Sequence, residues 1–376
     1  MFGKSLTLFQ VFGIKVKVNI GWAVIALLIA WSLAQGFFPA LYEGLPPQTY
    51  WWMGLAGVIG LFFSILLHEL SHSVVARAYG MTISGITLFL FGGAAEMEDE
   101  PPSPEAEIVM AIAGPVMSGL LAGLFYLGAW AVQQTGGPQP ALGVLRYLGV
   151  LNLVLIVFNL VPAFPLDGGR VLRGILWARR GDLRWATWRA SRIGAAFGLV
   201  LAGFGLFAML TGAAVGGLWW ILIGLFIRFA AQSSYYQLEA RRYLEGEPVS
   251  RFMTEDPATA PPDITVRRLA DEWIYKFHHE FFPVTDGGRV VGCVGTGKLK
   301  EIPSSEWDRT TVRDIMTPCS DENSVDADED AVKALAKMQK SGQSRLMVLR
   351  KGKLAGVITL KDLLKLISLR MDLEHP

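Results

Sequence analysis

Two histidines and one glutamate within five residues have the types and the spacing of a hydrolytic zinc site. They form the HExxH motif of His68, Glu69 and His72. Because residues four apart share one face of a helix, the two imidazoles can bind one zinc ion. Glu69 follows the first ligand and can act as the general base that takes a proton from a water molecule at the metal. The motif therefore predicts metal-dependent hydrolysis.

The surroundings of the motif contain few other ionisable side chains. The chain has five histidines, and the three outside the motif lie in its polar C-terminal part. Between residues 1 and 95 the only acidic side chains are Glu43 and Glu69. A carboxylate at membrane depth costs about 2.5–3.5 kcal/mol, which favours a functional role for Glu69. The alternative is a satisfied polar cluster between packed helices.

A third metal ligand is expected, because a catalytic zinc ion normally has three protein ligands and one open position. Since both histidines of the membrane part are already assigned, this ligand should be acidic. The only acidic residues between 108 and 238 are Asp167 and Asp182. Asp182 lies in an arginine-rich loop, where a solvated ion pair is expected. Asp167 follows two prolines at the end of the fourth apolar stretch, and these prolines can turn it back into the helix bundle. We predict Asp167 as the third ligand, the alternative being a turn residue that faces the cytosol.

Apolar stretches supply the elements that must position these residues. The chain has 376 residues, of which 52% are hydrophobic, and they concentrate before about residue 235. Six stretches are long enough, or nearly so, to cross about 30 Å of hydrocarbon. They lie near 19–41, 53–79, 106–132, 142–163, 190–211 and 216–235. The predicted fold is an α-helical polytopic membrane protein with six transmembrane helices, followed by a soluble α/β tail.

The distribution of positive charge predicts the orientation in the membrane. The loops 42–52, 133–141 and 212–215 contain no lysine or arginine. Basic residues instead precede the first stretch or lie between the fourth and fifth: Lys4, Lys15, Lys17, Arg170, Arg173, Arg179, Arg180, Arg184, Arg189 and Arg192. We therefore predict a multi-pass protein of the cell membrane with both termini and the tail in the cytoplasm. The net charge of +1, without a basic stretch, predicts no nucleic-acid partner.

The segment near 83–95 is β-rich and carries no charge. A strand beside the membrane must bury its backbone in protein or in a water-filled cavity. We predict a re-entrant β segment that holds an extended substrate by strand addition, with Phe91, Gly92 and Gly93 as substrate-binding residues. A simple loop between helices is the alternative.

The polar tail contains an internal repeat. Phe252-Met253-Thr254 recurs as Ile315-Met316-Thr317, and Gly292-Cys293-Val294 recurs as Gly356-Val357-Ile358. The offsets indicate two α/β units in tandem. The predicted organisation is a membrane domain at 1–235, a linker at 236–248 and a tail at 249–376, with repeats at about 249–312 and 313–376.

A second motif follows the fourth helix and reads Asn159-Leu160-Val161-Pro162-Ala163-Phe164-Pro165-Leu166-Asp167-Gly168. Together with the HExxH motif on the second helix, it resembles the site-two protease family of intramembrane metalloproteases. The resemblance covers residues 1–235. It implies one zinc ion on His68, His72 and Asp167, a water-activating Glu69, and an Asn159 that steadies the substrate carbonyl or its oxyanion. An ordinary interhelical hydrogen bond is the alternative role for Asn159.

The third helix carries Ala113-Gly114-Pro115-Val116-Met117-Ser118, which is similar to a glycine-proline motif of the same family. Its small residues permit close helix packing. Ser118 stands where many members have asparagine, and no chemistry is assigned to it.

The tail resembles a pair of CBS domains, which often bind adenine nucleotides. In the second repeat Thr359 and Asp362 match the positions that hold phosphate and ribose in the family. In the first repeat Gly295 and Lys298 replace them, so the resemblance implies at most one good nucleotide site. A structural module that joins two copies into a homodimer is the alternative.

The resulting hypothesis is an intramembrane zinc metalloprotease that cleaves transmembrane segments of other membrane proteins and is regulated by adenine nucleotide. A CBS-gated transporter or channel is the rival, since a broken helix also suits a transport site. The general base beside the metal ligands distinguishes the two. A non-catalytic adaptor is a third hypothesis, and it predicts that Glu69→Gln is tolerated.

Overall fold

The computed structural model describes residues 5–89, 92–97, 100–365 and 367. The chain divides into two compact units, Met1–Tyr235 and Tyr236–Pro376. The predicted substrate-binding residue Phe91 and the orienting Lys4 lie outside the described residues.

Long apolar helices dominate the first unit. In chain order they are α1 (Ile20–Ser32), a π-helical segment (Leu33–Phe37), α2 (Phe38–Leu41), α3 (Pro47–Ala78), α4 (Pro104–Gln134), α5 (Gln139–Asn159), α6 (Asp167–Arg180), α7 (Leu183–Leu210) and α8 (Ala214–Leu244). Within the described residues, six segments are long and apolar enough to span a membrane, namely Ile20–Leu41, α3, α4, α5, α7 and α8. The six predicted transmembrane helices are confirmed.

Many large apolar side chains on these helices are exposed. Leu27, Val157 and Leu210 are 73%, 71% and 79% exposed, and many other large apolar side chains are also exposed. A water-soluble protein rarely exposes so much contiguous apolar surface, whereas lipid acyl chains cover it without cost.

A four-stranded sheet packs against the helices of the first unit. Its strands β1 (Ser5–Val11), β2 (Ile14–Asn19), β3 (Ile83–Phe89) and β4 (Gly92–Met97) lie in that order. The two hairpins are antiparallel, and β2 pairs with β3 in parallel. One face is buried: Ile14, Ile86 and Leu88 pack with Leu66 of α3 and Met110 of α4.

The β-rich segment that contains β3 and β4 is predicted from the sequence, whereas β1 and β2 are not. The alternating pattern of β2 is six residues long and leads directly into α1, where the Asn19 side chain accepts a hydrogen bond from Gly21 N at 2.8 Å. So short an alternation cannot be separated from the apolar run that follows it.

The position of Asp167 corrects the sequence interpretation. Helix α5 ends at Asn159, and Asp167 is the first residue of α6 rather than the end of the fourth span. Pro162 and Pro165 have no backbone N–H to continue the α5 hydrogen bonds, so the chain turns before a new helix begins. The segment between the fourth and fifth spans, predicted to be a loop, therefore contains the 14-residue helix α6.

In the second unit the segment predicted as a linker, 236–248, is helical as far as Leu244, the end of α8. The remaining helices are the short α9 (Val266–Leu269), α10 (Tyr275–Phe277), α11 (Thr296–Leu299) and α12 (Val312–Ile315), and α13 (Ala331–Ser341). The strands are β5 (Thr254–Glu255), β6 (Phe281–Asp286), β7 (Arg289–Gly295), β8 (Thr317–Pro318), β9 (Ser324–Asp326), β10 (Arg345–Arg350) and β11 (Lys353–Thr359).

The two repeats of the tail have matching structures. The hairpins β6–β7 and β10–β11 bury the same positions in the same order. Each hairpin pairs with the opening strand of the other repeat, β7 with β8 and β11 with β5. Each repeat thus contributes a strand to the sheet of the other, so the two repeats form one intertwined structure.

Candidate metal centre

Two helices bring together the three predicted metal ligands. His68 and His72 lie one turn apart on α3, and Asp167 begins α6. The distance from His68 Nε2 to Asp167 Oδ2 is 3.1 Å, and that from His72 Nε2 to Asp167 Oδ1 is 3.4 Å. All three side chains are buried, and one ligand atom from each lies within 4.8 Å of the others. We call these residues the ligand triad.

The separations within the ligand triad fit a zinc ion. Zinc bonds of about 2.0–2.2 Å in a tetrahedron place ligand atoms about 3.3–3.5 Å apart. The two separations, 3.1 and 3.4 Å, run to the two oxygens of the Asp167 carboxylate, and both are close to that edge length. Two imidazoles and one carboxylate also form a donor set used by catalytic zinc, with one position left for water or substrate.

A glycine on α4 keeps space open beside the ligand triad. A Cβ atom added to Gly114 would lie 2.3 Å from His72 Nε2 and 2.5 Å from His68 Nε2. Any side chain at this position would occupy the space beside the ligand atoms. The glycine-proline motif of the third span therefore does more than permit close helix packing.

The ring nitrogens that face away from the ligand triad also have partners on α4. His72 Nδ1 lies 2.7 Å from the carbonyl oxygen of Met110, and His68 Nδ1 lies 2.9 Å from Ser118 Oγ. Each histidine is thus held at both ring nitrogens, which fixes its orientation.

Glu69 lies beside the ligand triad and under the edge strand β4. A Cβ atom added to Gly93 would lie 2.5 Å from Glu69 Cγ and 3.1 Å from Glu69 Oε1. The absent side chain at Gly93 lets β4 approach the carboxylate closely. The predicted general base and the predicted substrate-binding strand are therefore neighbours.

A buried ion pair fixes the helix that carries Asp167. Arg173 of α6 places Nε and Nη2 2.5 Å from Glu107 Oε1 of α4. Glu107 is fully buried and Arg173 is 5% exposed. The Arg173 guanidinium also lies 5.0 Å from the centre of the Phe164 ring, in the turn before Asp167. Arg173, one of the basic residues used to predict the orientation, is therefore buried in an ion pair.

A buried polar pair between α3 and α5 was not predicted from the sequence. Asn152 donates hydrogen bonds to Ser64 Oγ at 3.0 Å and to Leu148 O at 2.9 Å. Ser64 lies one helical turn before His68, so this pair aligns the two helices close to the ligand triad. The signal available was an asparagine in the middle of a largely apolar span.

The structure does not assign a contact to the predicted Asn159. It is half-buried at the last position of α5, and its side chain makes no hydrogen bond within the described part of the chain. The two predicted nucleotide-binding residues lie in the second unit, where the Thr359 hydroxyl donates to Asp362 Oδ2 at 2.6 Å. The tail also has an open groove of about 420 Å³ lined partly by Lys298, Glu301 and Thr317.

Comparison with known proteins gives these features a family. The model of peptidase family M50 matches residues 56–138 and 134–203, and the CBS domain model matches residues 249–302 and 312–369. The chain is 36% identical to Rip3 of Mycobacterium tuberculosis over 357 residues, 93% of this chain and 90% of Rip3. It is 32% identical to the zinc metalloprotease MJ0392 of Methanocaldococcus jannaschii, over 97% of this chain and 96% of that protein.

Among solved structures, the chain is similar to a site-2 protease from Methanocaldococcus jannaschii. The two share 33% identity over 61% of this chain and 94% of that one, with a TM-score of 0.44.

Proposed function

Since the chain belongs to peptidase family M50 and carries two CBS domains, we propose that it hydrolyses peptide bonds within transmembrane segments of other membrane proteins. It is a zinc metalloprotease of the site-2 type and an integral membrane protein. The observation that carries the proposal is the ligand triad, which is buried among helices long enough to span the bilayer. The transporter alternative is not favoured by these relatives.

The roles of the side chains follow from their positions. We assign His68, His72 and Asp167 as the ligands of one zinc ion. When bound, zinc acidifies water and polarises a carbonyl group. Glu69 takes the proton of the attacking water and returns it to the leaving amine. Asn159 is assigned to the substrate carbonyl, to which its amide can donate a hydrogen bond.

The substrate must be extended before it can be cut, because a helix hides its carbonyl groups in its own hydrogen bonds. β4 is at one edge of its sheet and lies against Glu69. We propose that a substrate segment adds to this edge as a further strand, which places its backbone near the general base. Gly92 and Gly93, together with Phe91, are the residues assigned to this contact.

The exposed charges support a cytoplasmic location for both termini and the CBS domains. Arg179 and Arg180 are exposed at the end of α6, and no basic residue lies in the loops assigned to the other side. This orientation is part of the proposal and places the tail where adenine nucleotides are available.

Removal of the metal should stop cleavage. The purified full-length protein is incubated in lipid vesicles with a single-span substrate, before and after treatment with a zinc chelator. We expect cleavage to fall to background after chelation and to return on addition of zinc, because water and carbonyl activation depend on the ion. Gel analysis of the fragments and metal analysis of the protein are the measurements.

A matched substrate that keeps its soluble domains but lacks the span should remain intact throughout. Undiminished cleavage by protein shown to be free of metal would contradict the zinc mechanism. Cleavage of the substrate without a span would contradict the assignment to membrane segments.

The edge strand should contact bound substrate. We expect a cysteine at Gly92 or Ala95 to crosslink to a cysteine within the span of a substrate, in a Glu69→Gln background that holds the substrate uncut. Mass shifts on gels measure the product. The two native cysteines should interfere little. Burial raises the pKa of Cys293 to about 11, so little of its reactive thiolate is present at neutral pH. The other cysteine, Cys319, is replaced by serine.

A cysteine at Thr135, in the loop after α4, serves as the control and should give no product. If Asn159→Cys crosslinks to the substrate while both β4 positions fail, β4 only connects helices and the strand-addition proposal is wrong.

The tail is proposed to bind adenine nucleotide at the second repeat. Asp362 can accept hydrogen bonds from ribose hydroxyls, whereas the matching Lys298 cannot. Asp362→Ala in the full-length protein should weaken AMP or ATP binding about 10–100-fold, since hydrogen bonds to a charged group are worth about 1.5–3 kcal/mol. Calorimetry measures the affinity, and a cleavage assay with added nucleotide measures the regulation.

Lys298→Ala is the matched variant and should leave the affinity unchanged. If Lys298→Ala weakens binding and Asp362→Ala does not, the groove lined by Lys298 and Thr317 is the site instead. If no adenine nucleotide produces heat, the tail is a module that joins two copies of the chain, and the sensor proposal fails.

A further inference from the structure

One face of α4 contacts all the elements that carry the ligand triad. Glu107, Met110, Gly114 and Ser118 are spaced three, four and four residues apart, so they lie along one side of the helix. Each has a distinct contact: Glu107 with Arg173 of α6, Met110 with His72, Gly114 with both imidazoles, and Ser118 with His68. This face of α4 therefore acts as a template for the metal ligands.

The contact of His72 defines which of its nitrogens can bind metal. A carbonyl oxygen can only accept a hydrogen bond, so His72 Nδ1 must donate to Met110 O, at 2.7 Å. A neutral imidazole that donates through Nδ1 has its lone pair on Nε2. That atom is the one that lies 3.4 Å from Asp167.

His68 has the same arrangement, but its partner is a side chain. Ser118 Oγ lies 2.9 Å from His68 Nδ1, and Ser118 is fully buried while His68 is 5% exposed. Buried polar groups require a partner, and at this depth solvent has little access to replace the hydroxyl. The opposite nitrogen of the ring, Nε2, is again the atom that faces Asp167, at 3.1 Å.

We propose that Ser118 is a positioning residue that accepts a hydrogen bond from His68 Nδ1 and thereby directs His68 Nε2 to the metal. This inference rests on the proposed zinc site and adds to it a determinant of zinc affinity. Partners of this kind typically change metal affinity about 10–100-fold when removed.

Ser118→Ala tests the proposal in the full-length protein. We expect its zinc dissociation constant, measured by competition with a chromophoric chelator, to rise about 10–100-fold. The visible absorption bands of the cobalt-substituted protein should change as well, because the geometry at one ligand is altered. Ser118→Thr keeps a hydroxyl and should retain the wild-type affinity within about threefold and the wild-type bands.

Ser191→Ala is the matched control. Ser191 is also buried, and its hydroxyl has no hydrogen-bond partner within the described residues. This variant should bind zinc as the wild type does. Thermal unfolding of each variant with and without zinc separates loss of metal binding from loss of fold.

Wild-type zinc affinity and cobalt bands in Ser118→Ala would overturn the proposal. So would equal losses of affinity in the alanine and threonine variants, or a lower stability of metal-free Ser118→Ala with unchanged affinity. If the alanine variant does not fold, Ser118→Cys replaces it. The thiol is similar in size to the hydroxyl but is a weaker hydrogen-bond acceptor, and the same outcomes decide the test. Retention of zinc by a variant that lacks both histidines of α3 would instead refute the metal site itself.

Discussion

Glu69→Gln should lower the rate of substrate cleavage by about 10²–10⁴-fold, the usual contribution of a general base. The substitution keeps the size of the side chain and exchanges a carboxylate for an amide that cannot take a proton at neutral pH. Glu69 is close to the ligand triad but not part of it, and β4 lies directly against its side chain at Gly93. We therefore expect zinc to stay bound and the fold to stay intact. Single-turnover cleavage of a single-span substrate, with metal analysis of the same sample, measures both.

The control for this variant is Glu43→Gln, the same substitution at an exposed position. It should cleave as the wild type does. Cleavage by Glu69→Gln within a few-fold of the wild type would show that Glu69 is not the base and would revive the adaptor hypothesis. If the variant loses zinc as well as activity, Glu69 is needed to hold the metal ligands in place and is not shown to act as the base.

The parts of the candidate site that sequence predicts are those with a local signature. His68, Glu69 and His72 are predicted together because a helix alone places them on one face. Asp167 is 99 residues from His68, yet it could be selected because the apolar spans contain almost no other acid. Its position could not be predicted, since the turn that precedes α6 depends on how α6 packs.

The contacts of α4 have no such signature. Met110 contributes a backbone carbonyl, which every residue has, and Ser118 is one small residue among many in an apolar span. Their roles depend on the packing of α4 against α3. Arg173 resembled the other arginines of its segment, and only the buried Glu107 shows that it holds α6 in place. Tertiary contacts of this kind require a structure.

The tail shows the same division between local and tertiary information. The repeat offsets in the sequence predict two similar units, and the matching burial of β6–β7 and β10–β11 agrees with them. The exchange of opening strands between the repeats was not predicted. A two-residue strand such as β5 or β8 has too few residues to show a pattern.

Replacement of both histidines, His68→Ala with His72→Ala, should remove zinc from the protein. Two of three protein ligands are lost, and a single buried carboxylate with water is a poor site for a metal that prefers nitrogen and sulfur donors. We expect zinc content to fall from about one ion per chain to background and cleavage to fall with it. Inductively coupled plasma mass spectrometry of the purified protein is the measurement. Added zinc should also no longer raise the thermal unfolding temperature, because ligand stabilisation requires binding to the folded state.

The paired control is His278→Ala with His279→Ala, which removes two neighbouring, exposed histidines of the tail. This variant should keep its zinc and its activity, so that a loss in the first variant cannot be ascribed to the number of histidines. Full zinc occupancy in the His68 and His72 double variant would place the metal elsewhere and remove the basis for the roles of Asp167 and Glu69. Zinc loss in the tail variant, with the α3 histidines intact, would have the same consequence, because the bound ion would then depend on the tail and not on the ligand triad.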